Sequence, residues 1–142
     1  MHSLILKTDN RAEVASQLAG ERWIVACFCA AWCDTCAVYQ AAFEGLAARH
    51  PDKLFVWIDI EDQADVAGEL DIENFPTLLI QHGDLVAFFG TMLPDPGVAH
   101  RLLQAQIEHG LDALTAQARS STERQGWQRN CNLRTLLSAA NK

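Results

Sequence analysis

Four cysteines fall within ten residues, at positions 27, 29, 33 and 36, and a fifth stands at 131. A thiolate is the nucleophile of disulfide exchange, and two thiols three residues apart can hold a disulfide between them. Trp32-Cys33-Asp34-Thr35-Cys36 contains such a pair. An odd number of cysteines, most of them crowded, is a poor framework of structural disulfides. It suits a reducing compartment where thiols react or fill core space. The Cys-x-Cys-x3-Cys-x2-Cys spacing matches no dependable zinc or iron–sulfur ligand pattern, so no metal is expected.

The reactivity of the pair depends on the elements around it. Trp23 to Cys29 is continuous, apolar and partly β-branched, the pattern of a central strand buried on both faces. Cys36 to Arg49 carries Val38, Ala42, Phe43, Leu46 and Ala47 at helical spacing and ends before Pro51. Cys33 therefore lies between a strand and a helix N-terminus, where free backbone N–H groups and the helix dipole favour an anionic sulfur. Cys36 lies one turn inside, where its sulfur can reach that of Cys33. Cys33 would attack a target disulfide and Cys36 would resolve the mixed disulfide.

Leu4 to Leu6 reads as an edge strand. Asp9 or Asn10 offers a cap for a helix carrying Val14, Ala15 and Leu18 and closed by Gly20. Leu54 to Ile60 is a second buried strand, and Ala64 to Leu70 a short helix with Asp62 at its cap. Thr77–Ile80 and Leu85–Phe89 form a hairpin around the polar link 81–84. Asp95-Pro96 is a helix start, and that helix extends to about Ala118. Residues 120–126 read as a linker. Trp127, Leu133, Leu136, Leu137 and Ala140 give the last segment a weak amphipathic pattern. The fold class is α/β, a mixed sheet of four to five strands with helices on both faces. The expected organisation is one domain over residues 1–118 and a partly helical C-terminal tail over 119–142.

The chain has 142 residues, of which 49% are hydrophobic and 20% charged, enough for one globular core. Its formal net charge is −7, and no Lys/Arg cluster offers a nucleic-acid-binding face. The longest apolar run, Trp23 to Trp32, is half of what a bilayer-crossing helix needs. The stretch from Met1 to Asp9 has three consecutive apolar residues, too few for the hydrophobic region of a signal peptide. A cytoplasmic location is expected, with no membrane or nucleic-acid partner.

Ala31-Trp32-Cys33-Asp34-Thr35-Cys36 and Phe75-Pro76-Thr77-Leu78-Leu79-Ile80 together resemble the thioredoxin family over roughly residues 3 to 118. The first stretch is similar to the family's Trp-Cys-x-x-Cys signature and the second to its cis-proline strand. Gly83 and Gly90 also fall where the family has glycines. The resemblance implies a thioredoxin fold and a thiol–disulfide oxidoreductase, a reductase of protein disulfides regenerated by an external reductase. It implies no organic cofactor beyond the redox-active disulfide. Cys33 and Cys36 would be catalytic. Trp32, Asp34, Thr35, Phe75 and Pro76 would form the substrate-binding surface, with Pro76 cis. The competing reading is a non-enzymatic binding module with a vestigial dithiol.

The sequence departs from the family at four places. Asp34-Thr35 replaces Gly-Pro between the cysteines, puts a like charge beside any thiolate on Cys33, and points to a reducing rather than strongly oxidising protein. The family's buried acid falls on Cys27, and its lysine partner on Trp57. Cys29 replaces a large aromatic. Cys27 and Cys29 admit three readings: small hydrophobes filling the core, which is favoured; auxiliary redox partners of Cys36 or Cys33; or metal ligands. Cys131 reads as an incidental thiol. His50, His82, His100 and His109 read as separate, solvated side chains. Asp59, Glu61, Asp62 and Asp65 read as a solvated loop and helix start.

Overall fold

A computed structural model describes residues 3–68, 70 and 72–140. Five strands form one sheet: β1 (Leu4–Ile5), β2 (Trp23–Cys29), β3 (Leu54–Asp59), β4 (Thr77–His82) and β5 (Leu85–Thr91). Their order is β1-β3-β2-β4-β5. β1, β3 and β2 run parallel, whereas β4 and β5 are antiparallel additions. The parallel strands need helical crossovers, and the antiparallel pair needs only a short turn. Gly83 supplies that turn's positive φ of 60°.

Seven α-helices cover the sheet among the described residues: α1 (Arg11–Leu18), α2 (Asp34–Ala48), α3 (Ala64–Ala67), α4 (Pro96–His109), α5 (Leu111–Ala118), α6 (Thr122–Asn130) and α7 (Leu133–Ala140). Strand alternation splits the core in two. Val25, Cys27 and Cys29 of β2 face the layer containing Phe43 of α2, Leu103 of α4 and Leu114 of α5. Ile24, Ala26 and Phe28 face Val14 of α1, Val66 of α3 and Leu137 of α7. β2 is thus a two-sided apolar strand because helices cover both faces.

Several local expectations shift. Helix α2 starts at Asp34, not Cys36, and buries Cys36, Tyr39, Phe43, Leu46 and Ala47. Val38 is 78% exposed, although its spacing had placed it on the apolar face. The wide apolar pattern of this helix admits two faces, and only the sheet's position chooses between them. Asn10 flanks α1, but its side chain bonds back to the amide of Lys7 and the carbonyl of Ile5 instead of capping. Gln63, not Asp62, flanks α3, which ends at Ala67. Glu69, within the longer helix expected there, lies outside the described residues, as do Met1 and His2 of the N-terminal stretch and Asn141 and Lys142 of the tail.

The helix from Pro96 breaks at Gly110, whose φ is 81°. Asp95 caps its start by accepting from the amide of Gly97 at 2.8 Å. The polar stretch 120–126 is no linker: Ser121 accepts from the amide of Arg124 at 3.1 Å and starts α6. Its polarity fits a helix that buries no residue fully. The final helices are anchored to the domain. Gln128 bonds both the amide and the carbonyl of Val86, at 2.9 and 2.8 Å, and so pairs with the outer edge of β5. Buried Gln81 donates to Asn132 at 2.7 Å and accepts from the amide of Leu133 at 3.0 Å. Arg134 donates to the carbonyls of Leu18 and Gly20. Cys131, Leu133 and Leu137 join the same buried cluster as α1 and the sheet. Cys131 is therefore a free thiol that helps fill the core.

Candidate active site

The C-terminal end of β2 delivers the chain into a short loop and then into α2. Cys33 occupies the N-cap of α2 with extended dihedrals of −88° and 120°. Its amide donates to the carbonyl of Ala30 at 3.1 Å, and its carbonyl accepts from Ala37 at 3.1 Å. The loop is held from β3 as well. Asp59 accepts from the amide of Ala31 at 2.9 Å through one oxygen, and from Glu61 and Asp62 through the other. Of the acidic run read as solvated, Asp59 thus positions the site loop, and Asp65 pairs with Arg11 through both carboxylate oxygens. The signal for Asp59 was its place at the end of the strand next to β2.

Cys33 is half-buried and carries a free thiol. Cys36 is 2% exposed, and its sulfur is bonded to that of Cys29, with the Cα atoms 5.7 Å apart. This is the main correction to the sequence reading. Cys36 is not joined to Cys33 in this structure, and Cys29 is a disulfide partner, not a core-filling thiol. The reason is strand parity: Cys27 and Cys29 both face α2, whose first turn presents Cys36 to them. Cys27 remains a free, buried thiol 3.8 Å from the sulfur of Cys29. Burial pushes the Cys27 thiol up, so it keeps its proton. Cys27 and Trp57 are register partners across β2 and β3, so an apolar pair occupies the sites where an acid and a lysine were sought.

The second loop of the site precedes β4. The Phe75–Pro76 peptide is cis. Thr77, the next residue, pairs with Phe28, the residue before Cys29, which sets this loop beside the end of β2. Trp32 and Phe75 meet edge-to-face with centroids 5.6 Å apart, and Phe75 and Cys33 both pack on the same core. Pro76 is buried, and Asp34 and Thr35 are exposed. Trp32, Val38 and Leu93 are 65%, 78% and 68% exposed. A shallow depression lined by Asp34, Thr35, Val38 and Pro94 lies on the same side of α2. Val38 and Leu93 were missed as surface residues because exposure cannot be read from an apolar letter. Cys36, Trp57 and Asp59 are among the residues lining a further cleft, but Cys36 itself is nearly closed off from it and Cys29 is fully buried.

Elsewhere, His50 is not solvated. It is buried, stacks on Phe55, and lies 3.0 Å from His100 between ring nitrogens. His82 is half-buried, edge-on to Trp23 and 3.6 Å from Glu21. His109 is exposed at the end of α4. Among the described residues no group of three or more His, Cys, Asp or Glu has the arrangement of a metal site. None of the described helices is long and apolar enough to cross a membrane.

The chain matches the family model described as Thioredoxin over residues 5–94. It is 37% identical over 70 residues to the thioredoxin of Ophiophagus hannah, a match that takes in 49% of this chain and 65% of that protein. Among solved structures, a thioredoxin of Trypanosoma brucei brucei superposes with a TM-score of 0.63 at 18% identity, covering 75% of this chain and 91% of that one. A thioredoxin f2 chain, solved as a complex with ferredoxin: thioredoxin reductase, gives a TM-score of 0.62 at 21% identity, covering 72% of this chain and 93% of the other. The structural matches establish the shared fold.

Proposed function

The chain belongs to the thioredoxin family, and from that premise we propose that it is a thiol–disulfide oxidoreductase that reduces protein disulfides. One observation carries the reading. Cys33 is a free, half-exposed thiol at a helix N-terminus, flanked by Trp32 and by the loop of Phe75 and cis Pro76.

In the reduced protein, the thiolate of Cys33 attacks one sulfur of the target disulfide. That bond breaks, and its electron pair leaves with the second target sulfur, which takes up a proton. Cys36 then attacks the sulfur of Cys33, forms the Cys33–Cys36 disulfide and releases the other target thiol. Two electrons pass from the dithiol to the target, and an external reductase restores them. The complex of thioredoxin f2 with its reductase supports a partner of that class. Trp32, Phe75 and the exposed apolar rim of Val38 and Leu93 suit contact with a protein substrate. The free thiols fit a reducing compartment, which favours the cytoplasm.

Turbidimetric insulin reduction with dithiothreitol as donor tests the reading. The parent protein should accelerate precipitation, and Cys33→Ser should abolish the acceleration. The occupation of Cys36 by Cys29 favours the binding-module alternative, and an inactive parent indistinguishable from Cys33→Ser would select it.

A further inference from the structure

Cys36 has two candidate disulfide partners. One is Cys33, three residues earlier at the start of the same helix, where side chains at this spacing share a face. The other is Cys29, at the end of β2, to which it is bonded. The Cα separation of 5.7 Å to Cys29 lies within the range a disulfide spans without moving the backbone. Passing from one partner to the other requires rotation of the Cys36 side chain, not rearrangement of the sheet.

The surroundings of the sulfurs are graded. Cys33 is half-exposed, Cys36 is nearly buried, and Cys29 and Cys27 have no exposed surface. A sulfur in a disulfide carries no hydrogen, so Cys27 is the donor in its 3.8 Å contact with Cys29. That contact steadies the Cys29 sulfur when it holds extra electron density. The hydroxyl of Tyr39, one turn beyond Cys36, is buried with no hydrogen-bond partner among the described residues. The Cys27 thiol thus offers the inner disulfide a proton donor, and burial closes both sulfurs to large molecules.

We propose that Cys29 is a third cysteine of the exchange reaction, taking Cys36 over from Cys33 so that the disulfide moves from the surface into the core and Cys33 returns to the thiol state. The proposal rests on the oxidoreductase reading above. Its step is an isomerisation. Cys29 gives up its thiol proton and attacks the sulfur of Cys36. The Cys33–Cys36 bond breaks with its electron pair on Cys33, and Cys33 takes up a proton. One disulfide is lost and one formed, with no net electron transfer. The initial oxidant remains the target disulfide. In reverse, Cys33 attacks Cys36, frees Cys29 and rebuilds the outer disulfide for the external reductase. The inner disulfide is hidden from outside thiols, so Cys33 is its gate.

The test uses the full chain. Reduced protein is mixed with an equivalent of insulin as disulfide, quenched with acid to stop reshuffling, alkylated under denaturing conditions and peptide-mapped by mass spectrometry. The relay predicts a Cys29–Cys36 link with Cys33 alkylated. In Cys29→Ala the disulfide has nowhere to move, so Cys33 labelling is lost and a Cys33–Cys36 link replaces it. A second variant guards against misfolding of the first: Cys33→Ser should leave Cys29 and Cys36 both alkylated, because the gate is gone. A wild-type map showing only Cys33–Cys36, in a protein that reduces insulin, overturns the relay and leaves the oxidoreductase reading intact. A Cys29–Cys36 link formed in Cys33→Ser also overturns it. Failure to form either link, with insulin intact, refutes both.

Discussion

Leu137→Ala should destabilise the whole protein and not merely loosen its end. Leu137 of α7 is fully buried in the cluster that holds Val14 of α1, Val66 of α3 and Phe28 of β2. Truncating a fully buried leucine to alanine costs about 2–5 kcal/mol, the lost transfer energy plus the cavity left behind. Polar anchors pin the first two residues of α7: Leu133 donates to Gln81, and Arg134 reaches Leu18, Gly20 and Asp84. The helix therefore cannot slide to fill the hole, and we take a middle value of about 3 kcal/mol. Unfolding entropy scales with length, so the 142-residue chain loses about 0.3 kcal/mol of stability per degree near its midpoint. The expected fall in Tm is about 10 °C. Differential scanning calorimetry measures it, with exposed Thr135→Ala as a control expected to stay within about 0.5 kcal/mol. A Leu137→Ala midpoint within about 2 °C of the parent would refute the docking of α7, since a loosely attached tail contributes little to the cooperative core.

Three more outcomes follow from the site and its surroundings. Trp32→Ala should leave stability within about 0.5 kcal/mol, because the ring is 65% exposed. It should lower kcat/KM for insulin roughly twofold to tenfold by removing an aromatic contact worth about 0.5–1.5 kcal/mol; an unchanged value would exclude Trp32 from the substrate surface. Burial first, then the positive charges of Lys53 and His100, hold the His50 imidazole below its ordinary range, with Asp52 opposing. The unfolded chain then binds more protons than the folded one as pH falls through about 6.5, so stability present at neutral pH declines toward pH ~5. Thermal scans should show that decline shrinking in His50→Gln, and an identical pH profile in the variant would count against this origin. Burial pushes the Cys131 thiol up to about 11 and shields it. Iodoacetamide at mildly alkaline pH should therefore label Cys33 in the native protein and Cys131 only after unfolding; equal labelling would mean that α6 and α7 open readily.

The amino-acid order alone determined the layers of the fold. The unbroken apolar run at 23–29 could only be a strand covered on both faces, and its alternation with helical segments required parallel pairing. The position of Cys33 between that strand and a helix was equally plain, whereas the site loop of Phe75 and Pro76 was legible only through the resemblance to the thioredoxin family. The layers and the place of Cys33 rest on local patterns of hydrophobic period, caps and proline. The tertiary structure decided which sulfur meets which. Cys36 is nearer in sequence to Cys33 but is bonded to Cys29, because the parity of β2 and the docking of α2 bring their side chains to one face. It also turned Val38 outward and Leu133 inward, and it gave Asp59 three amides to hold. The polar stretch at 120–126 became a helix because Ser121 caps it and Gln128 finds the edge of β5. Such outcomes depend on contacts between residues distant in the chain, and neither composition nor spacing encodes them one segment at a time.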